Sequence, residues 1–187
     1  MDAEDLMEKF FAYGHKIIHL PTLKISTMKT ELIDSDSFDA FIFTSANAVR
    51  NLKLASANKS VHCFCVGSIT EKIARQSGFI NTSSAGGTVN ALKNLIMVSD
   101  KVNKNAKLAY FCGDNISYDL DLELKNEGLK ITKIINYSSE VISDLSNENK
   151  KLMENFPPDL IYIYSARSAE SFIAIVKNYG LNPLVTQ

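Results

Sequence analysis

The chain has 187 residues, 45% hydrophobic and 22% charged, the balance of an ordinary soluble globular protein of one or two small domains. Twenty Lys and Arg oppose 21 Asp and Glu for a formal charge of −1, which argues against a nucleic-acid binder, whose affinity rests on a dense basic face. No apolar run approaches the ~18 residues of a membrane span, and the acidic start Met1-Asp2-Ala3-Glu4-Asp5 does not read as a signal peptide.

The first element is a helix over 3–13, its apolar stripe near period 3.6, ended by Gly14. Strands are read at 15–20, 40–44, 61–66, 107–112, 130–136 and 160–164, where β-branched and aromatic residues run together as in buried parallel sheets. Between and after them come helices at 47–55, 70–76, 89–98, 118–127 and 169–179. Gly78, Gly128 and Gly180 each follow a helical stretch, as caps do. The most polar stretch, 138–151, reads as two connecting passages. Cys63, Cys65 and Cys112 fall in strands without Cys-x-x-Cys spacing and read as small buried thiols of a reducing cytoplasm. The fold class is α/β, a doubly wound parallel sheet.

One segment repeats. Residues 39–52 (DAFIFTSANAVRNL) align without gaps on 159–172 (DLIYIYSARSAESF), each reading Asp, apolar strand, Ser-Ala, helix. Upstream, Gly14-His15-Lys16-Ile17 corresponds to Gly128-Leu129-Lys130-Ile131. Two repeated blocks in one order suggest two similar flavodoxin-like lobes. The expected division is a complete lobe over 26–136 and a second, discontinuous lobe from 1–25 and 137–187, joined by a two-stranded hinge. The second lobe lacks strands at both chain ends, which reads either as a piece of a longer chain or as a thin lobe. Two crossings imply a cleft between lobes, a common place for ligands.

In open α/β sheets, ligands bind beyond the carboxyl ends of strands, where helix N-termini present free amides. Those ends supply Thr44, Ser45, Ala46 and Asn47, then Gly67, Ser68 and Thr70, then the loop 83–88 with Gly87 and Thr88. Gly113 follows, with Asp114 and Asn115, and finally Ser165, Ala166, Arg167 and Ser168. Small and hydroxylic residues suit an anion held mostly by main chain, although each Ser, Thr or Asn could equally be a helix cap. Arginines number only three, Arg50, Arg75 and Arg167, so bidentate anion forks are scarce. No phosphate loop or dinucleotide fingerprint occurs, and His15 and His19 share a strand side without a third metal ligand. No Ser-His-Asp or Cys-His grouping can be assigned, and Tyr110, Tyr162 and Tyr164 read as core. Tyr137 differs: it ends a strand at a proposed crossing, where its phenol could act as donor or acid.

These motifs, in this order, resemble the uroporphyrinogen-III synthase family. The resemblance covers 14–21, Phe43 to Val49, Val66 to Thr70, Gly78-Phe79, the Gly113 loop, Gly128 through Tyr137, and Ser165 to Ser168. It implies two α/β lobes and a cofactor-independent, metal-free lyase that closes the linear tetrapyrrole hydroxymethylbilane into uroporphyrinogen III, inverting the last ring. It also implies that Tyr137 matches the family's hinge tyrosine, which assists loss of the substrate hydroxyl. Thr70, Ser45 and Ser165 match cleft positions that contact substrate carboxylates. The family opens with a strand bearing Arg-Pro and closes with a second Gly-x-x-Thr loop, neither of which this chain shows. The Ser-Pro-Ser of its second lobe is Ser165-Ala166-Arg167-Ser168 here, and Cys112 stands where an arginine often precedes the glycine. The expected partner is a small-molecule substrate, the expected state a cytoplasmic monomer. A non-catalytic two-lobed module for a small anion is the alternative, and a flavodoxin-like domain holding flavin phosphate at 83–88 is a third.

Overall fold

The computed structural model describes residues 3–56, 59–163 and 165–181, the side chains of residues 3–5 excepted. Contacts divide the chain into two compact units, Ile25–Ser139 and Met1–Lys24 with Glu140–Gln187. The chain passes between them on β1 (Leu23–Thr27) and β6 (Lys130–Val141).

In the unit Ile25–Ser139, β2 (Ala40–Phe43), β3 (His62–Cys65), β4 (Thr82–Ser84) and β5 (Lys107–Gly113) join β6 in a parallel array. The full sheet order is β1-β6-β5-β2-β3-β4. Met28 N–H donates to Asn136 O and Ile142 N–H to Thr22 O, so β1 runs against β6. Four helices cover the parallel strands: α2 (Ala46–Arg50), α3 (Ser68–Gln76), α4 (Val89–Val98) and α5 (Leu120–Asn126).

Alternation along the strands decides which face each residue meets. Ile42, Leu108, Tyr110 and Ile131 pack with Leu92 and Ile96 of α4 and Leu120 and Leu124 of α5. Phe41, Phe43, Ala109 and Phe111 pack on the other face with Ala48 and Val49 of α2 and Ala74 of α3. Phe41 is the hub of that face, its ring 5.0 Å from Phe111, 6.0 Å from Phe79 and 6.2 Å from Phe43, all edge-on. Every residue of β2 is fully buried, which is why a short Ala-Phe-Ile-Phe run suffices for a central strand.

Apart from the ends of β1 and β6, the regular elements described in the other unit are helices. α1 (Ala3–Ala12), α6 (Asn147–Asn155) and α7 (Ala166–Asn178) accompany a core of Leu145, Met153, Phe172, Ile175, Val176 and Leu181. The Ser171 hydroxyl lies 2.9 Å from both Thr22 O and Ile142 O and shares its proton between them.

Several expectations are corrected. Residues 15–20 form no strand: Ile18 and Leu20 pack against that core in alternation, but among the described residues no strand pairs with them. The same holds for residues 160–163, and Tyr164 lies outside the described residues. β6 continues past Tyr137 to Val141, so that tyrosine sits inside a strand rather than ending one. α2 is five residues rather than nine, because Leu54 leaves the helix for a bridge to Ile33. Ser83 and Ser84, the first residues of the loop read at 83–88, belong to β4 (Thr82–Ser84). The polar stretch after Ser138 holds α6, capped by Ser146 Oγ accepting from Asn149 N at 3.1 Å.

Candidate functional site

In the parallel array, the connections run from β2 outward through β3 to β4, then return to β5 on the other side of β2 and continue to β6. The direction of winding thus reverses between β2 and β5, and the loops at their carboxyl ends diverge there. Because the strands are parallel, the candidate loops of this unit all leave the same edge of the sheet.

Many candidate hydroxyls are helix caps. Ser45 Oγ accepts from Asn47 N at 3.1 Å, Thr88 Oγ1 from Ala91 N at 3.1 Å, and in the other unit Ser165 Oγ from Ser168 N at 3.1 Å. Ser165 and Ser168 also share a hydroxyl contact of 3.0 Å, with Ala166 and Arg167 in the first turn between them. α3 is different. Gly67 opens it without a side-chain cap, leaving its first amides to solvent or ligand. A Cβ on Gly67 would lie 3.3 Å from Gly87 Cα, and Gly87 N–H donates to Val66 O at 2.7 Å, so two glycine loops abut at this helix end. Gly87 needs its lack of side chain for another reason too, a φ of 105°. Ser68 is exposed in the first turn, whereas Thr70, one turn in, is only 5% exposed. Ala46 and Asn47 form the first turn of α2, where Asn47 Oδ1 receives a long contact from Arg50 Nη1 at 3.5 Å.

At the switch point, Thr44 Oγ1 lies 3.2 Å from the Tyr110 hydroxyl. Burial pushes Tyr110 up to about 12, so this phenol keeps its proton across the physiological range. Sequence reasoning took Tyr110 for core; its ring is core, but its hydroxyl reaches the carboxyl edge. The only signal available was its place, three residues before Gly113.

Tyr137 is set by a β-bulge. Cys112 pairs with Ile135, but Gly113 pairs with Tyr137, leaving Asn136 as the extra residue. In a regular ladder Asn136 would oppose Gly113 and Tyr137 would project from the opposite face of the sheet. With the bulge, Tyr137 packs on the α2 face and lays its ring over Gly113. A Cβ on Gly113 would sit 2.8 Å from the Tyr137 ring, so glycine is what lets the phenol lie there. Tyr137 O accepts from Asp114 N at 3.0 Å, and Asp114 Oδ1 from Ser139 N at 3.2 Å, pinning the main chain on both sides of the ring.

Among the described residues no group of three His, Cys, Asp or Glu could hold a metal ion; His15 and His19 find no third ligand. The thiols stay protonated, Cys65 pushed up to about 12 and Cys112 to about 11 by burial. A cavity of about 790 Å³ opens at the opposite, amino edge of the sheet, by Asp39, His62, Asn81 and Lys101, and no candidate residue lines it.

In this unit, amide ends and hydroxyls gather at the carboxyl ends of an open α/β sheet, and the sequence carries no phosphate-loop or dinucleotide fingerprint. The family model described as uroporphyrinogen-III synthase HemD matches residues 4–186, and the chain belongs to that family. Its members are cofactor-independent cyclising lyases of tetrapyrrole and haem biosynthesis, which makes the chain an enzyme rather than an anion-binding module. The family reaction closes hydroxymethylbilane to uroporphyrinogen III with inversion of the last ring and loss of water. Among solved structures, uroporphyrinogen-III synthetase from Helicobacter pylori superposes with a TM-score of 0.61 at 17% identity, covering 82% of this chain and 70% of that one. A mutant uroporphyrinogen III synthase from Thermus thermophilus gives 0.51 at 12% identity, covering 93% and 72%. At such identities the likeness is one of fold. No curated protein sequence matches the chain significantly.

Proposed function

We propose that the chain performs the family reaction at the carboxyl edge of its parallel sheet, with Tyr137 as the catalytic hydrogen-bond donor. The observation that carries this reading is the placement of the phenol over Gly113, at the carboxyl end of β5, by a bulge in the neighbouring β6. Bulges beside such edges re-aim side chains. On this reading the phenol supports the hydroxymethyl oxygen as it leaves as water. The azafulvene so formed is attacked by the substituted carbon of the last ring, giving a spiro intermediate that rearranges and closes.

Substrate carboxylates would be held by main-chain amides more than by cations. The uncapped N-terminus of α3, with Gly67, Ser68 and Gly87, is the best-formed anion end in its unit. Ser45, Thr88 and Thr44 add hydroxyls around it, Thr70 lies buried in the first turn of α3, and Ser165 to Ser168 offer the same chemistry in the other unit. We read those units as two lobes of one enzyme, acting as a cytoplasmic monomer; no helix among the described residues is long and apolar enough to cross a membrane. Holding the ends of a flexible chain together supplies proximity, worth up to ~7–11 kcal/mol in favourable cases.

Incubation with enzymatically generated hydroxymethylbilane, followed by isomer analysis, tests the reading. Isomer III is expected, and Tyr137→Phe should slow turnover about 10²–10⁴-fold. Product of isomer I alone, which forms spontaneously, would remove the enzyme reading; undiminished turnover by Tyr137→Phe would remove the role of the phenol.

A further inference from the structure

Two buried side-chain oxygens lack a hydrogen bond among the described residues: Asp121 Oδ1, which has the Lys133 ammonium 3.3 Å away, and Asn136 Oδ1. Asn136 is 2% exposed. Its Nδ2 donates to Ala48 O of α2 at 2.7 Å, which fixes the orientation of the amide, since a carbonyl can only accept. Its own backbone oxygen accepts from Met28 N at 3.1 Å. The residue inserted by the bulge is therefore bound to the helix below it and the strand beside it. A buried amide with one unmet oxygen is a poor way to fill a core, where an apolar residue of similar shape serves as well or better. The bond to Ala48 serves geometry instead.

We propose that Asn136 is a positioning residue: its carboxamide clamps the β6 bulge to α2 and so holds the Tyr137 phenol over Gly113 at the carboxyl edge. The inference rests on the proposed role of Tyr137. Were the clamp lost, the bulge could relax or migrate, and the ring would leave its place by an ångström or more. Misplacement on that scale can cost about 10²-fold in rate.

Asn136→Leu keeps the volume and removes the clamp. The expected result is a kcat lowered about 10- to 100-fold with KM little changed, and no further loss when the substitution is made in Tyr137→Phe. Equal losses in both backgrounds, or no loss in either, would overturn the proposal. Tyr137→Phe that turns over like the parent would instead overturn the reading beneath it, and the proposal with it. A readout independent of turnover is the Tyr137 ring resonance in ¹³C-tyrosine-labelled protein, identified by its disappearance in Tyr137→Phe. It should shift in Asn136→Leu, and an unmoved resonance counts against the clamp. If the leucine variant does not fold, Asn136→Asp replaces it. A protonated carboxyl can donate to Ala48 O and an ionised one cannot, so relative activity should fall as pH rises through the elevated pKa of that buried acid. A pH profile parallel to that of the parent would again overturn the clamp.

Discussion

The two copies of the repeated segment share a sequence pattern and end in different structures. In the first, Ala40–Phe43 is a central strand between β3 and β5, with every residue fully buried. In the second, residues 160–163 form no strand, and Leu160 is 70% and Tyr162 56% exposed. The serines that follow behave alike, each accepting from an amide of the helix it opens. A helix start is decided within four residues, whereas a strand is decided by whatever lies beside it.

The largest expected effect lies on the paired side. Phe43→Ala should cost about 3–5 kcal/mol in denaturant unfolding, while the aligned apolar run tolerates Leu160→Ser within about 0.5 kcal/mol. Comparable costs would mean that Leu160 is packed after all. Next comes Gly113→Ala, whose new methyl would meet the Tyr137 ring at 2.8 Å. It should lose about 1–3 kcal/mol through overpacking and lower turnover, measured by chemical denaturation and by the isomer assay. The two serine caps should then prove equal: Ser45→Ala and Ser165→Ala each cost about 1 kcal/mol, and a cap worth far more in one copy would show that neighbours, not local bonding, set it.

The smallest effect sits at the sheet edge. Glu71 Oε1 accepts from Thr82 Oγ1 at 2.7 Å, and this bond first, then Arg75 at 3.0 Å, holds its carboxyl below the ordinary range against the opposing pull of burial. The folded carboxyl titrates below its unfolded value of about 4.3, so its contribution is whole above that pH and is lost as pH falls through the lowered folded value. Glu71→Gln should therefore flatten the acid limb of stability below about pH 4.3, followed by urea titrations; an unchanged slope would detach β4 from this carboxylate.

What could be read in advance follows the same line. Buried runs such as 107–112 and caps such as Ser45 carry their own signal, and α4 at Val89–Val98 lies where its period placed it. Runs 15–20 and 160–164 carry the same apolar signal, but pairing depends on neighbours that no local window contains. α6 was missed because its face buries little beyond Met153, although Ser146 three residues before Asn149 was a legible cap. At the site, Tyr137 and Gly113 were visible as residues but not their contact, because a one-residue bulge leaves no periodic trace beyond an asparagine inside Ile134-Ile135-Asn136-Tyr137.

The three cysteines, all wholly shielded on β3 and β5, give the chain a built-in gauge. A maleimide added to the native enzyme finds no thiolate to capture until those strands part, so the pace of alkylation counts breathing events of the sheet, and a tightly held tetrapyrrole should slow that count.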